Sequence, residues 1–114
     1  MINKDYFKQT RILDGGMGQE LLARGMKPNS TLWSANAILD ENYHQLVLDA
    51  HVDFIKAGAE IIVTTTFATR QKRLKENNLL DKFEYLNQKA GEIAQAAKQK
   101  FPSTHIAGGI PPAI

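Results

Sequence analysis

From Asp40 onward the apolar positions Tyr43, Leu46, Val47, Ala50, Phe54 and Ala57 recur at intervals of three and four residues, the pattern of a helix with one buried face. Asp40 is a suitable N-cap, and Gly58 offers the left-handed backbone that stops such a helix. Directly behind it, AEIIVTTTF is a β-branched run of strand length, apolar enough to be covered on both faces as in a parallel sheet. Helical spacing then returns twice, in TRQKRLKENN and in DKFEYLNQKAGEIAQAAKQK. The second opens with Asp81 and Glu84 at capping-box spacing and aligns Phe83, Leu86, Ala90, Ile93, Ala94 and Ala97 on an inward face. Pro102 breaks that pattern, HIAGGI reads as another strand running into glycine, and PPAI closes the sequence.

Ahead of Asp40, residues Met1 to Thr10 form a polar lead-in with scattered aromatics, and RILDGG reads as a short strand that ends at Asp14 in a glycine turn. MGQELLARG supplies about two helical turns, with Leu21 and Leu22 inward and Gly25 as the stop. Met26 to Asn36 is expected to be a loop carrying Trp33. The resulting order is β-α-β-α-β, an α/β class in which the strands lie parallel and the crossovers are right-handed. Ligands of such folds gather at the carboxyl ends of the strands: here Asp14 to Gly16, Thr64 to Phe67, and Gly108 with Gly109.

Composition narrows the function classes. At 114 residues, 43% of them hydrophobic and 23% charged, the chain suits one soluble globular domain spanning residues 1–114. Fourteen basic against 12 acidic residues leave a net charge of +2, too small for the broad positive field of a nucleic-acid or anionic-membrane binder. Cysteine is absent, which excludes disulfides and thiolate metal sites within the chain. No apolar leader precedes the first strand, so a cytoplasmic location is the expectation.

The glycine turn invites a dinucleotide-binding reading, but Leu21 stands where the motif needs its third glycine. A carboxylate at Asp14 would also repel a pyrophosphate and attract an ammonium group. Alternatively, Asp14 caps the following turn and the glycines serve only tight backbone geometry. The hydroxyls of Thr64, Thr65 and Thr66 could face a ligand or simply reflect β propensity, and Trp33 could be a pocket wall or a lid over the helices. His44 and His51 share a helix face but stand about 10 Å apart along its axis, too far for one metal ion, which makes them surface or helix-packing residues. Arg70, Lys72, Arg73 and Lys75 surround an inward Leu74 and read as a solvated helix face.

Taken together, LDGGMGQELLARG, LWSA, YHQLVLDAHVDFIKAGAEIIVTTTF and IAGGIPP resemble the start of the homocysteine S-methyltransferase family, which includes the homocysteine module of cobalamin-dependent methionine synthase and betaine-homocysteine methyltransferase. The likeness runs from about Arg11 to the last residues, in order and at matching spacing. It implies the amino-terminal part of a (β/α)8 TIM barrel, in a protein that transfers a methyl group to the homocysteine sulfur to give methionine. In the family, zinc held by three cysteine thiolates activates that sulfur; those ligands lie later in the barrel and are absent from this chain.

Resemblance places Asp14 at the amino group of homocysteine, with the backbone of Gly15 and Gly16 beside the amino-acid head. Thr64, Thr66 and Phe67 match the lining at the end of the second strand. Trp33 matches an aromatic near the methyl donor in the betaine enzyme, and Gly108 and Gly109 match the third-strand loop. Thr65 stands where many relatives carry asparagine. A full barrel needs about 250 residues, so this chain is expected to be one partial domain with about three of the eight strands, and to lack methyl-transfer activity alone. The implied partners are homocysteine, a methyl donor, and either the remainder of the barrel or a second copy to cover the open strand edges. A non-catalytic α/β binding or assembly module is the alternative.

Overall fold

The computed structural model describes residues 2–109, so Ile110 of the expected third strand and the PPAI close lie outside the described residues. Two strands, β1 (Ile61–Val63) and β2 (His105–Ala107), pair in parallel, with Ile61 opposite His105, Ile62 opposite Ile106 and Val63 opposite Ala107. On the far side of β1, Leu13 makes a single parallel bridge to Ile61. The three expected strand sites are therefore side by side in chain order, and the α/β class with parallel strands is present.

The first strand is nevertheless reduced to that bridge. Ile12 and Leu13 are 57% and 58% exposed, so no packed row of side chains reinforces the run. It is held from one side: Glu60 N–H donates to the Ile12 carbonyl at 2.8 Å, Asp14 N–H to the Ile61 carbonyl at 3.1 Å, and Ile12 N–H to the Glu60 carboxylate at 2.9 Å. The middle strand is also shorter than AEIIVTTTF. Beyond Val63 one more bond joins Thr64 N–H to the Ala107 carbonyl at 2.9 Å, and Thr66 N–H then folds back onto the Thr64 carbonyl at 2.8 Å.

Five α-helices are described: α1 (Met17–Ala23), α2 (Asn36–Leu39), α3 (His44–Lys56), α4 (Gln71–Glu76) and α5 (Phe83–Lys100). The long pair α3 and α5 pack on each other and on the strands. Ala94 and Ala97 of α5 join Val52, Ala59 and Ile62 in one apolar cluster, and small side chains there let the helix lie close to the sheet. A second cluster gathers Leu21, Ile38, Val47, Leu74, Leu86 and Ile93. The inward face expected of α5 is therefore met at Leu86, Ala90, Ile93, Ala94 and Ala97, while Phe83 is half-buried at its rim.

Several local expectations need correction. Leu22 is 39% exposed while Leu21 is sealed, because consecutive helical residues point about 100° apart and only one can face the core. Ala57 is exposed, since it follows the last turn of α3 as its cap. Asp81 caps nothing: it lies within a 3-10 turn, Leu80–Lys82, that runs straight into α5, and Lys82 holds the cap position without a side-chain bond. Met26 to Asn36 is not wholly loop, because Trp33–Ala35 form a 3-10 turn that continues into α2 and buries Ile38. The Asp40 expectation holds in substance: its carboxylate accepts from Asn42 N–H and caps the 3-10 turn that feeds α3.

The stops of α1 and α3 share one device. After α1, Met26 N–H reaches the Leu21 carbonyl at 3.0 Å and Gly25 N–H the Leu22 carbonyl at 3.1 Å, with Gly25 at φ +104°. Ala59 and Gly58 repeat those two bonds after α3, with Gly58 at φ +120°. This pairing satisfies terminal carbonyls and folds the next residue back onto the core, which is how Met26 and Ala59 come to be buried.

Candidate functional site

The carboxyl ends of the first two strand sites, helix α1 and the segment 28–34 enclose a cleft of about 610 Å³. Of the residues singled out in the sequence, Asp14, Gly15, Gly16, Trp33, Thr64 and Phe67 line it. Thr66 stands behind that wall, its hydroxyl 3.0 Å from the Thr64 hydroxyl and donating to the Gly109 carbonyl at 3.3 Å. Gly109 is thereby tied to the β1 end. A Cβ on it would start 3.3 Å from the Thr66 hydroxyl. Gly108 is not among the lining residues.

Asp14 does not cap α1. The cap position belongs to Gly16, which receives no side-chain bond, and the Asp14 carboxylate instead crosses to β1 and accepts Val63 N–H at 3.0 Å. Half-burial pushes its carboxyl above the ordinary carboxylate value, opposed by the hydrogen bonds from Val63 N–H and its own N–H. Among the described residues the lining includes no Lys, Arg, His or Glu, so Asp14 is its one charged group. The charge is costly where it stands, and a cation brought to it would relieve that cost.

The bare backbone after Asp14 has a reason inside the fold. A side chain on Gly15 would start 2.9 Å from Cε1 of Phe54 in α3, so the absent Cβ admits that ring and lets the turn sit down on the helix. A side chain on Gly16 would meet nothing within 4 Å. Thr65, the middle residue of the strand-end motif, is 5% exposed, lines the cleft, and has no protein partner for its hydroxyl among the described residues.

Met17, Leu22 and Met26 add an apolar wall that the sequence reading did not assign. The available signal was Leu22 itself, a leucine turned off the core stripe of a short helix that follows a glycine turn. The histidines are elsewhere: His44 Nε2 lies 2.7 Å from the Ile38 carbonyl, and His51 is fully buried on α3, where burial lowers its pKa to about 4 and keeps the ring neutral. Among the described residues no group of three or more His, Cys, Asp or Glu side chains could hold a metal ion, and no helix is long and apolar enough to cross a membrane.

A sequence model of homocysteine S-methyltransferase matches residues 11–114. Homocysteine S-methyltransferase 2 of Zea mays is 36% identical over 101 residues, covering 88% of this chain and 29% of that protein. Selenocysteine Se-methyltransferase of Brassica oleracea is 34% identical over 102 residues, covering 86% and 29% respectively. The crystal structure of the metallated homocysteine methyltransferase MmuM from Escherichia coli superposes with a TM-score of 0.79 at 28% identity, covering 93% of this chain and 39% of that one. The chain thus spans less than a third of the length of these two curated relatives.

Proposed function

Given that this chain belongs to the homocysteine S-methyltransferase family, we propose that it forms the amino-acid end of a homocysteine pocket, as the amino-terminal part of a (β/α)8 TIM barrel. The whole barrel would transfer a methyl group from a donor to the homocysteine sulfur, giving methionine. One observation carries the reading: a single half-buried carboxylate, Asp14, faces a cleft whose described lining holds no other charge. A carboxylate so placed suits an α-ammonium group, and Gly16 leaves backbone open for the head of an amino acid. Homocysteine and selenocysteine, the substrates named for the relatives, share that head and differ at the chalcogen and chain length. Trp33, Thr64 and Phe67 are assigned to the walls, Thr66 and Gly109 to their support, and Gly108 to the third-strand loop.

Zinc does not fit the residues present. The sequence has no cysteine, His44 is engaged by a carbonyl and His51 is sealed in the helical layer. The proposal leaves activation of the thiol to groups this chain does not carry, and residues 1–114 alone are expected to transfer no methyl group. The exposed Ile12 and Leu13 edge favours cover by further barrel strands, with self-association as the other way to cover it.

Calorimetric titration with homocysteine tests the reading in a complete barrel that contains this segment. Asp14→Asn should weaken binding by about 1.5–3 kcal/mol, the scale of a hydrogen bond to a charged group. Unchanged affinity would refute the ammonium-binding role.

A further inference from the structure

The basic run on α4 is not simply a solvated face. The Arg73 guanidinium carbon stands 5.1 Å from the centroid of the Trp33 ring, and its Nη1 donates to the Thr31 carbonyl at 2.8 Å. At the N-cap of α4, the Arg70 guanidinium lies 6.0 Å from the centroid of the Phe67 ring. Both aromatics line the cleft, so α4 backs its aromatic walls from outside.

Trp33 needs such support. It is 55% exposed and sits at φ +53°, a left-handed conformation that a bulky side chain keeps only where its surroundings over-determine it. Within the loop, the Asn29 side chain accepts from the Thr31 and Leu32 amides at 3.1 and 2.8 Å, and Trp33 Nε1 donates to the Ser30 carbonyl at 3.0 Å. These bonds shape the loop without joining it to another element. Leu32, buried with Ala35 and Ala68, anchors its base, and Arg73 ties its rim to α4. A planar guanidinium can lie over a ring and donate in its own plane to a carbonyl at the same time, which an ammonium cannot do.

We propose that Arg73 is a positioning residue: it clamps the loop of residues 29–33 to α4 and so sets the pose of the Trp33 indole at the cleft. The inference rests on the functional reading for the cleft's ligand, but its test needs no ligand and fails or succeeds separately.

Trp33 is the sole tryptophan, so the fluorescence of the 114-residue chain reports on this loop directly. Acrylamide quenching and anisotropy would be compared for wild type, Arg73→Gln, Arg73→Lys and Lys72→Gln, with far-UV circular dichroism as the folding control. Because just over half of Trp33 is already exposed, its release in Arg73→Gln should raise the quenching constant by at most about twofold and lower the anisotropy. Arg73→Lys should fall between, and Lys72→Gln should match wild type. Wild-type quenching in Arg73→Gln, an equal rise in Lys72→Gln, or a wild-type chain quenched as freely as a tryptophan amide would overturn the clamp. Should Arg73→Gln unfold the chain, Arg73→Lys decides: an intermediate value supports the clamp and a wild-type value overturns it.

Discussion

The layer formed by α3 and α5 and the cleft at the strand ends obey opposite rules. In the layer, Val47, Ala50, Leu86, Ala94 and Ala97 are sealed, and the side chains sit where their spacing puts them. At the cleft, a tryptophan at positive φ and a phenylalanine stand half-exposed, and a carboxylate is held where burial disfavours its charge. The layer is packed almost entirely from apolar side chains, with His51 as its buried polar exception, whereas the cleft gathers several groups that cost stability. Such a division predicts that substitutions will separate stability from binding according to which region they touch.

The largest expected effect lies in the layer. Leu86→Ala should lower stability by about 2–5 kcal/mol, the usual range for a truncated buried leucine, read from chemical denaturation. A loss under about 1 kcal/mol would mean that the site collapses freely and that the layer is not close-packed.

His51 sharpens the same contrast through pH. Its folded pKa is lowered to about 4, below the ordinary 6.5, so the unfolded chain takes up the proton first. Its contribution is full above pH 6.5 and lost as pH falls toward 4, by up to about 3 kcal/mol. Thermal melts across that window check it, and His51→Gln should flatten the slope.

Asp14 should behave in reverse. Its raised pKa means that ionisation costs the folded state something as pH rises through the carboxylate range. Asp14→Asn keeps an oxygen for Val63 N–H and removes that cost, so stability should change by less than about 1 kcal/mol while the binding loss predicted above appears. A collapse of the melting temperature with no separable binding defect would return Asp14 to a structural role.

The smallest effect lies between the two regions. Gly25→Ala places a Cβ at φ +104° with open space around it, so it should cost about 1 kcal/mol through backbone strain alone. Equilibrium unfolding reads it, and a stabilised variant would show that the stop of α1 tolerates an ordinary residue.

Sequence by itself determined the local features: the inward stripes of α3 and α5, the helix stops at Gly25 and Gly58, three parallel strand sites in order, and a carboxylate at the first strand's end. Each is written in spacing of a few residues, which is the range over which helix and strand geometry act. Tertiary structure alone decided that the Asp14 carboxylate braces Val63, 49 residues away, rather than capping α1. It also decided that Arg73 grips the Trp33 loop across 42 residues, that Leu22 faces the cleft, and that the first strand shrinks to one bridge. Periodicity records which side of an element turns inward. Which residue meets it there, and whether a strand's outer edge is covered, depends on packing between segments distant in the chain, and no local pattern carries that information.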